Sequence, residues 1–175
     1  ATYESVFGMT LRLILMRHAK SSWDDPYLSD HDRPLNGRGR RSATALGDWM
    51  RENALRPDEV LCSTSRRTQE TCDRLGLDQD IQLLPALYHA TAQEMLGLLK
   101  GAKGRCVLMI GHNPGIGEFA ERLVSSRPDH PRFFDYPTGA TLVVDFPFDD
   151  WLDVRSATGR PVDFVIPRAL LGETK

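Results

Sequence analysis

The chain has 175 residues, 41% of them hydrophobic, and 22 Lys and Arg against 24 Asp and Glu, a net charge of −2 with histidine neutral. At that length folding buries about 70% of the unfolded chain's surface, so a core forms without disulfides or structural metal. The near balance of charge argues against nucleic acid or an anionic membrane as partner, and no apolar run approaches the roughly 20 residues of a membrane span.

The opening ATYESVFGMT lacks the basic and apolar stretches of a secretory signal and reads as an N-terminal tail, 1–10, with Met9 a candidate start. Residues 11–175 read as one domain. Leu11 to Met16 is the first strand and Pro34 to Arg51 the first long helix, with Leu46, Trp49 and Met50 on one face. Glu59 to Cys62 is the next strand. Ser63, Thr64 and Ser65 are candidate N-caps of a helix that runs to Leu75 and ends at Gly76. Thr91-Ala-Gln-Glu94 is a capping-box pattern opening a helix closed by Gly101. Cys106 to Ile110 is a buried strand, and Asn113 caps a helix with Pro114 at its first position and a stripe of Ile116, Phe119, Ala120, Leu123 and Val124. After a Pro-rich loop, Ser125 to Pro137, two late strands, Thr141 to Phe146 and Val162 to Ile166, complete the sheet. Strands alternating with helices predict an α/β fold, a mostly parallel central sheet flanked by helices on both faces. Cys62, Cys72 and Cys106 form no CxxC pair and read as reduced core thiols, which points to the cytoplasm.

In open α/β sheets ligands bind beyond the carboxyl ends of the strands. Arg17-His18 follows the first strand, Arg66-Arg67 opens the helix after the second, and His112-Asn113 follows the Cys106 to Ile110 strand through Gly111. A single histidine at such a place is by default a hydrogen-bonded structural residue, and a single arginine a solvated charge. Three strand ends offering only cationic or imidazole groups, in a chain of net charge −2, point instead to an anion. A phosphoryl group suits them: guanidinium pairs with its oxygens and imidazole serves as nucleophile or donor. Helix N-termini nearby add unpaired N–H groups. A metal shared by His18 and His112 is disfavoured by the flanking arginines.

RHAKSSWD at 17–24, DHDRPLNGRG at 30–39, STSRRTQET at 63–71, LYHAT at 87–91 and IGHNPGI at 110–116 together resemble the histidine phosphatase superfamily, most closely its SixA-type phosphohistidine phosphatases. The resemblance implies a phosphoglycerate mutase-like three-layer sandwich, no metal and no cofactor. It implies that His18 is the nucleophile, Arg17 and Arg67 bind the phosphoryl oxygens, with Arg66 the alternative to Arg67, and His112 donates to the phosphoryl group in its protonated form. Arg33 resembles an additional pocket arginine of the SixA branch. Ser21, close behind the nucleophile, and Asn113 are further substrate-binding candidates.

Three positions depart from relatives: Ala19 stands where many have Gly; Asp24 stands where mutases have a phosphate-contacting Asn and, accepting hydrogen bonds only, is left out of the site; and His89 stands near the place of the general-acid Glu. An alkoxide leaving group, about as basic as hydroxide from water of pKa about 15.7, needs an acid. Imidazole, with a conjugate acid of pKa about 6.5, does not. The resemblance, without that Glu, points to phosphohistidine on a protein as substrate, with His89 a candidate acid if an alkyl phosphate is used instead. The alternatives are a phosphomonoesterase for a small phosphorylated metabolite or nucleotide, and a phosphate-binding module without turnover. Only about a dozen residues, Gly76 to Leu87, precede LYHA, so no large helical cap insertion is expected. The reading is of a monomer. His31 and His130 read as surface histidines, and Trp23 and Trp49 as packing residues.

Overall fold

The computed structural model describes residues 10–173, so all of the expected tail but Thr10 lies outside the described residues. Six strands form one sheet: β1 (Leu11–Arg17), β2 (Glu59–Ser63), β3 (Ile81–Leu84), β4 (Cys106–Gly111), β5 (Thr141–Phe146) and β6 (Arg160–Val165). Their order across the sheet is β3-β2-β4-β1-β5-β6. β3, β2, β4 and β1 run parallel, while β5 pairs antiparallel with β1 and β6 antiparallel with β5. The sheet is thus mostly parallel, with an antiparallel pair at one edge.

Helices cover both faces, so the central strands are buried on both sides and read as continuous apolar runs. Along β1, Leu13 and Leu15 point into one core with Met109, Ile116 and Phe119, while Ile14 and Met16 point into the other with Leu46, Cys62 and Cys72. The first core lies under α3 (Ala92–Lys100) and α4 (Gly115–Leu123), the second under α1 (Gly37–Glu52) and α2 (Arg66–Leu75). Trp49 packs there as expected.

Local chemistry explains the helix limits. Ser65 caps α2 by accepting from the Thr68 N–H at 3.3 Å, and Gly76, with φ of 70°, ends it in the left-handed conformation. Thr91 and Glu94 form both bonds of the capping box on α3. α1 begins three residues later than its periodicity predicts. Leu35 is engaged in a bridge to Ser21, and Asn36, in extended backbone, caps the helix by accepting from Gly39 N–H at 2.8 Å. Gly39 is required there, because a Cβ on it would lie 2.0 Å from Lys20 O; the start of α1 presses on the loop behind His18. α4 begins at Gly115, and Asn113 accepts from Gly117 N–H at 3.1 Å without serving as its N-cap. The strand β3, the start of β6 at Arg160 and a short helix α5 (Pro167–Leu170) are further elements that periodicity did not give. β3 is a four-residue edge strand, mostly exposed, with no alternation to mark it. Between α2 and α3 there is only this strand and a single turn, Pro85–Leu87. No helix there covers the strand ends.

Candidate active site

The register carries the three strand ends to one crevice: Arg17 of β1 lies opposite Gly111 of β4, and Cys62 of β2 opposite Ile110. His18 N–H donates to Gly111 O at 3.1 Å and His18 O accepts from Gly139 N–H at 2.8 Å, which fixes the backbone under its ring. Thr71 ties the next residue to α2, accepting from Ala19 N–H at 3.0 Å and donating to Arg67 O at 2.7 Å. The four-residue spacing of Ser63, Arg67 and Thr71 turns all three toward the crevice, the last two on one helix face.

His18 is buried, and its Nδ1 lies 2.7 Å from Ala19 O. A carbonyl only accepts, so Nδ1 carries the hydrogen and Nε2 presents its lone pair. Burial, reinforced by His112, Arg17 and Arg67, lowers the pKa of His18 to about 3, against a smaller opposing effect of the Ala19 carbonyl. The imidazole is therefore neutral, with an unprotonated Nε2 facing the pocket. Arg67 Nε–H donates to that nitrogen at 3.4 Å.

His112 sits with its ring centroid 5.3 Å from that of His18. Its Nε2 is 2.8 Å from Ser63 Oγ, which itself accepts from Ser65 N–H at 3.4 Å. The Ser63 hydroxyl hydrogen is then best directed at Nε2, leaving the proton of His112 on Nδ1. Burial first, then Arg67, lowers its pKa to about 3. Desolvation and the guanidinium neighbours thus favour a neutral ring, where the sequence reading has His112 protonated in the reaction; as a neutral ring it donates through Nδ1–H. Among the described residues two buried side-chain nitrogens have no hydrogen-bond partner, His112 Nδ1 and Arg17 Nε, and both are in this site. Donors left unpaired in a buried site are costly, and phosphoryl oxygens would satisfy them.

Arg17 reaches Tyr136 O through Nη1 at 3.1 Å. Arg67, almost fully buried, donates to Asp30 O at 2.6 Å and to Asp30 Oδ2 at 3.0 Å. Arg66 instead points outward, 3.8 Å from Glu70, so Arg67 is the arginine at the site. Asp30 is the residue that sequence reasoning missed. Its carboxylate takes Arg67 on one oxygen and Arg33 on the other, at 3.2 and 3.3 Å, and accepts from the Tyr88 hydroxyl. The Tyr88 hydrogen bond most of all, then Arg67 and Arg33, hold its carboxyl far below the usual range. Asp30 is an ionised anchor for two arginines and no proton donor.

The pocket over His18 has a volume of about 310 Å³, with Arg17, Arg33, Arg67 and His112 around it and no carboxylate in its wall. A sequence model of the histidine phosphatase superfamily (branch 1) matches residues 13–103. The chain belongs to this superfamily. A protein of Mycobacterium tuberculosis, Rv1276c, itself uncharacterised, is 32% identical over 160 residues, 87% of this chain and 100% of that one. A structure from Nakamurella multipartitia described as a phosphohistidine phosphatase SixA superposes with a TM-score of 0.81 at 28% identity, covering 90% of this chain and 96% of that one. Another so described, from Agrobacterium tumefaciens, gives 0.73 at 26%, covering 90% and 99%.

The histidine phosphatase fold brings most of the remaining candidates to the same pocket, in different capacities. Arg33 donates to Ser21 Oγ at 2.8 Å and Ser22 O at 3.1 Å, and its guanidinium lies 3.5 Å over the Trp23 ring. Trp23 is 75% exposed, so the packing role expected of it is corrected: it is a stacking platform for Arg33 at the pocket rim. Ser21 lines the pocket but is engaged by Arg33. Asn113 also lines it, yet its amide donates to Asp135 O and Tyr136 O at 3.0 Å and its oxygen accepts from Gly117 N–H, so its side chain positions the loop at the start of α4. His89 does not line the His18 pocket. It is exposed, 4.0 Å between centroids from Tyr88, in the wall of an adjoining pocket of about 440 Å³ that also contains Asp30 and Glu118. Asp24 is exposed and outside the pocket, as expected. His31 is not a free surface group: it lies 2.9 Å from Thr64 Oγ1 and its ring edges on Tyr88. His130, too, is half-buried, against the Phe164 ring. Among the described residues no three His, Cys, Asp or Glu are grouped to hold a metal ion.

Proposed function

We propose that this histidine phosphatase removes the phosphoryl group of a phosphohistidine carried on a protein, through a covalent phosphohistidine at its own His18 and without a metal. The observation that carries the reading is the character of the pocket wall: cationic and imidazole groups surround the lone pair of His18 Nε2, and no carboxylic acid lines it. In the first step Nε2 bonds to phosphorus as the P–N bond to the substrate breaks. The electron pair leaves on an imidazole whose distal nitrogen is protonated, so the leaving group is neutral and needs no acid. In the second step water displaces His18 and phosphate departs. Charge on the equatorial oxygens is met by Arg17, Arg67 and His112 Nδ1–H, groups already in place before the reaction.

Open access to the pocket, with no helix between α2 and α3, suits a side chain presented by another protein. Residues 11–175 act as a single histidine-phosphatase domain in this reading. Three free cysteines, and the finding that no helix among the described residues is long and apolar enough to cross a membrane, support a cytoplasmic setting. A second reading, a phosphomonoesterase for a small metabolite, draws on His89 and Glu118 in the adjoining pocket, which could protonate an alkoxide.

The test is phosphate release from a phosphohistidine-bearing protein in EDTA, with His18→Ala and His89→Ala alongside. Release by the wild type and by His89→Ala, but not by His18→Ala, is expected. Turnover of alkyl phosphates that His89→Ala abolishes would favour the second reading. Tight substrate binding without turnover in either wild type or His18→Ala would leave a phosphate-binding module.

A further inference from the structure

Beside the His18 pocket, and sharing Lys20 and Thr138 with it, lies a second concavity of about 250 Å³. Its wall carries four cationic side chains, Lys20, Arg38, Arg132 and Arg168, together with the hydroxyl residues Ser42 and Thr138, and no carboxylate. Two of the cations are already paired: Arg38 with Glu173 through two hydrogen bonds, one of 2.7 Å, and Arg132 with Asp135 at 2.9 Å. Lys20 and Arg168 have no carboxylate within ion-pair distance among the described residues, although Arg168 lies in the field of Glu173. Counting four cations and these two carboxylates, the concavity keeps an excess of two positive charges, in a chain whose net charge is −2. Like charges gathered in a concave site repel one another unless an anion joins them, and the low-dielectric walls focus their field. The paired Arg38 shows which group fits: a carboxylate, taken by the guanidinium fork.

We propose that this concavity is a second anion-binding subsite, which holds a negative group on the same molecule that presents its phosphoryl group to His18. The inference rests on the phosphatase reading and narrows its substrate. On a protein the group is an Asp or Glu side chain flanking the phosphohistidine; on a small molecule it is a second phosphate. The subsite contains no group used in the chemistry, so it acts on binding and selects acid-flanked or doubly phosphorylated substrates over singly charged ones. Glu173 is a competitor for Arg38 supplied by the chain itself, so removing its charge strengthens the subsite.

The experiment compares N-phosphoimidazole, which has no second anion, with a phosphohistidine peptide flanked by Asp and Glu, the same peptide with Asn and Gln, and a sugar bisphosphate against its monophosphate. In Arg168→Ala, KM for the acid-flanked peptide rises about fivefold with kcat unchanged, the scale of one partly exposed charge pair. In Glu173→Gln it falls, and turnover of phosphoimidazole is the same in both variants. A preference for the bisphosphate in place of the acidic peptide assigns the subsite to a metabolite phosphate. Equal KM for acidic and neutral peptides together with equal KM for the bisphosphate and its monophosphate, or equal effects of Arg168→Ala on phosphoimidazole, overturns the subsite. If phosphoimidazole is not hydrolysed, it is the phosphatase reading that fails. The affinities of acidic and neutral peptides carrying a non-hydrolysable phosphohistidine analogue then decide the subsite by themselves.

Discussion

His18 and His112 stand at the ends of adjacent parallel strands, both buried and both with pKa values lowered to about 3, but they are oriented by different kinds of partner. The ring of His18 is held by a main-chain carbonyl, Ala19 O, which no substitution of a side chain removes. The ring of His112 is held by a side chain, Ser63 Oγ. The first arrangement leaves a lone pair on Nε2; the second leaves Nδ1 without a hydrogen-bond partner, and it bears the proton when the Ser63 hydroxyl donates to Nε2. Two neutral imidazoles of the same Nδ1–H tautomer thus offer opposite faces, an attacking pair and a donor, because their hydrogen bonds engage opposite nitrogens: Nδ1 in His18 and Nε2 in His112.

The comparison is sharpened by removing each ring in turn. His18→Asn should abolish phosphoryl transfer, with kcat falling at least about 10³-fold as expected for loss of a nucleophile. His112→Asn should lower kcat about 10²-fold and leave the covalent intermediate detectable, the scale of losing one donor to the developing charge. Steady-state and single-turnover kinetics of both variants separate the two roles; equal losses would break the distinction. Ser63→Ala, which frees the tautomer of His112 without touching His18, should cost about tenfold in kcat, as do partners that orient a functional group. Its circular dichroism and thermal unfolding should show the fold intact.

An effect on stability is one that both rings share. Each binds a proton below pH about 6.5 when unfolded, but only below about 3 when folded. Between those limits the unfolded state holds more protons, so stability falls as pH falls, by up to about 1.4 kcal/mol per pH unit for each histidine. Asp30, whose carboxyl is depressed, adds a loss of the same sign at lower pH. Denaturant unfolding at pH 6, 5 and 4 should give a shallower slope in His18→Asn than in the wild type. An unchanged slope would mean that His18 titrates normally in the folded protein.

What the sequence reveals and what it hides follows from the range of the interactions concerned. Caps such as Ser65, Gly76 and the Thr91–Glu94 box are local, and the runs in β1 and β4 are buried on both faces, so these elements can be read directly. The convergence of Arg17, His18, Arg67 and His112 follows from parallel strands in register, which the alternation of strand and helix implies. Asp30 was not legible. Its partner Arg67 is 37 residues away and Tyr88 is 58 away, and in the polar segment 30–33 it looks like any surface acid. The lowered pKa of His112 was not legible for a similar reason, because desolvation depends on what packs around a ring and leaves no trace in spacing. Asn113 is not the formal N-cap, because the helix begins at Gly115, yet its oxygen accepts from Gly117 N–H in the first turn while its amide is turned to the 135 and 136 carbonyls. The strand β3 is too short and too exposed to carry a period.

The central claim, that His18 forms the covalent intermediate through its unprotonated nitrogen Nε2, is tested most directly by trapping the phosphoenzyme and recording its ³¹P spectrum and fragment masses. Phosphorus on Nε2 of His18 is the predicted result. Phosphorus on Nδ1, on His112, or on no residue while phosphate is still released, would contradict it.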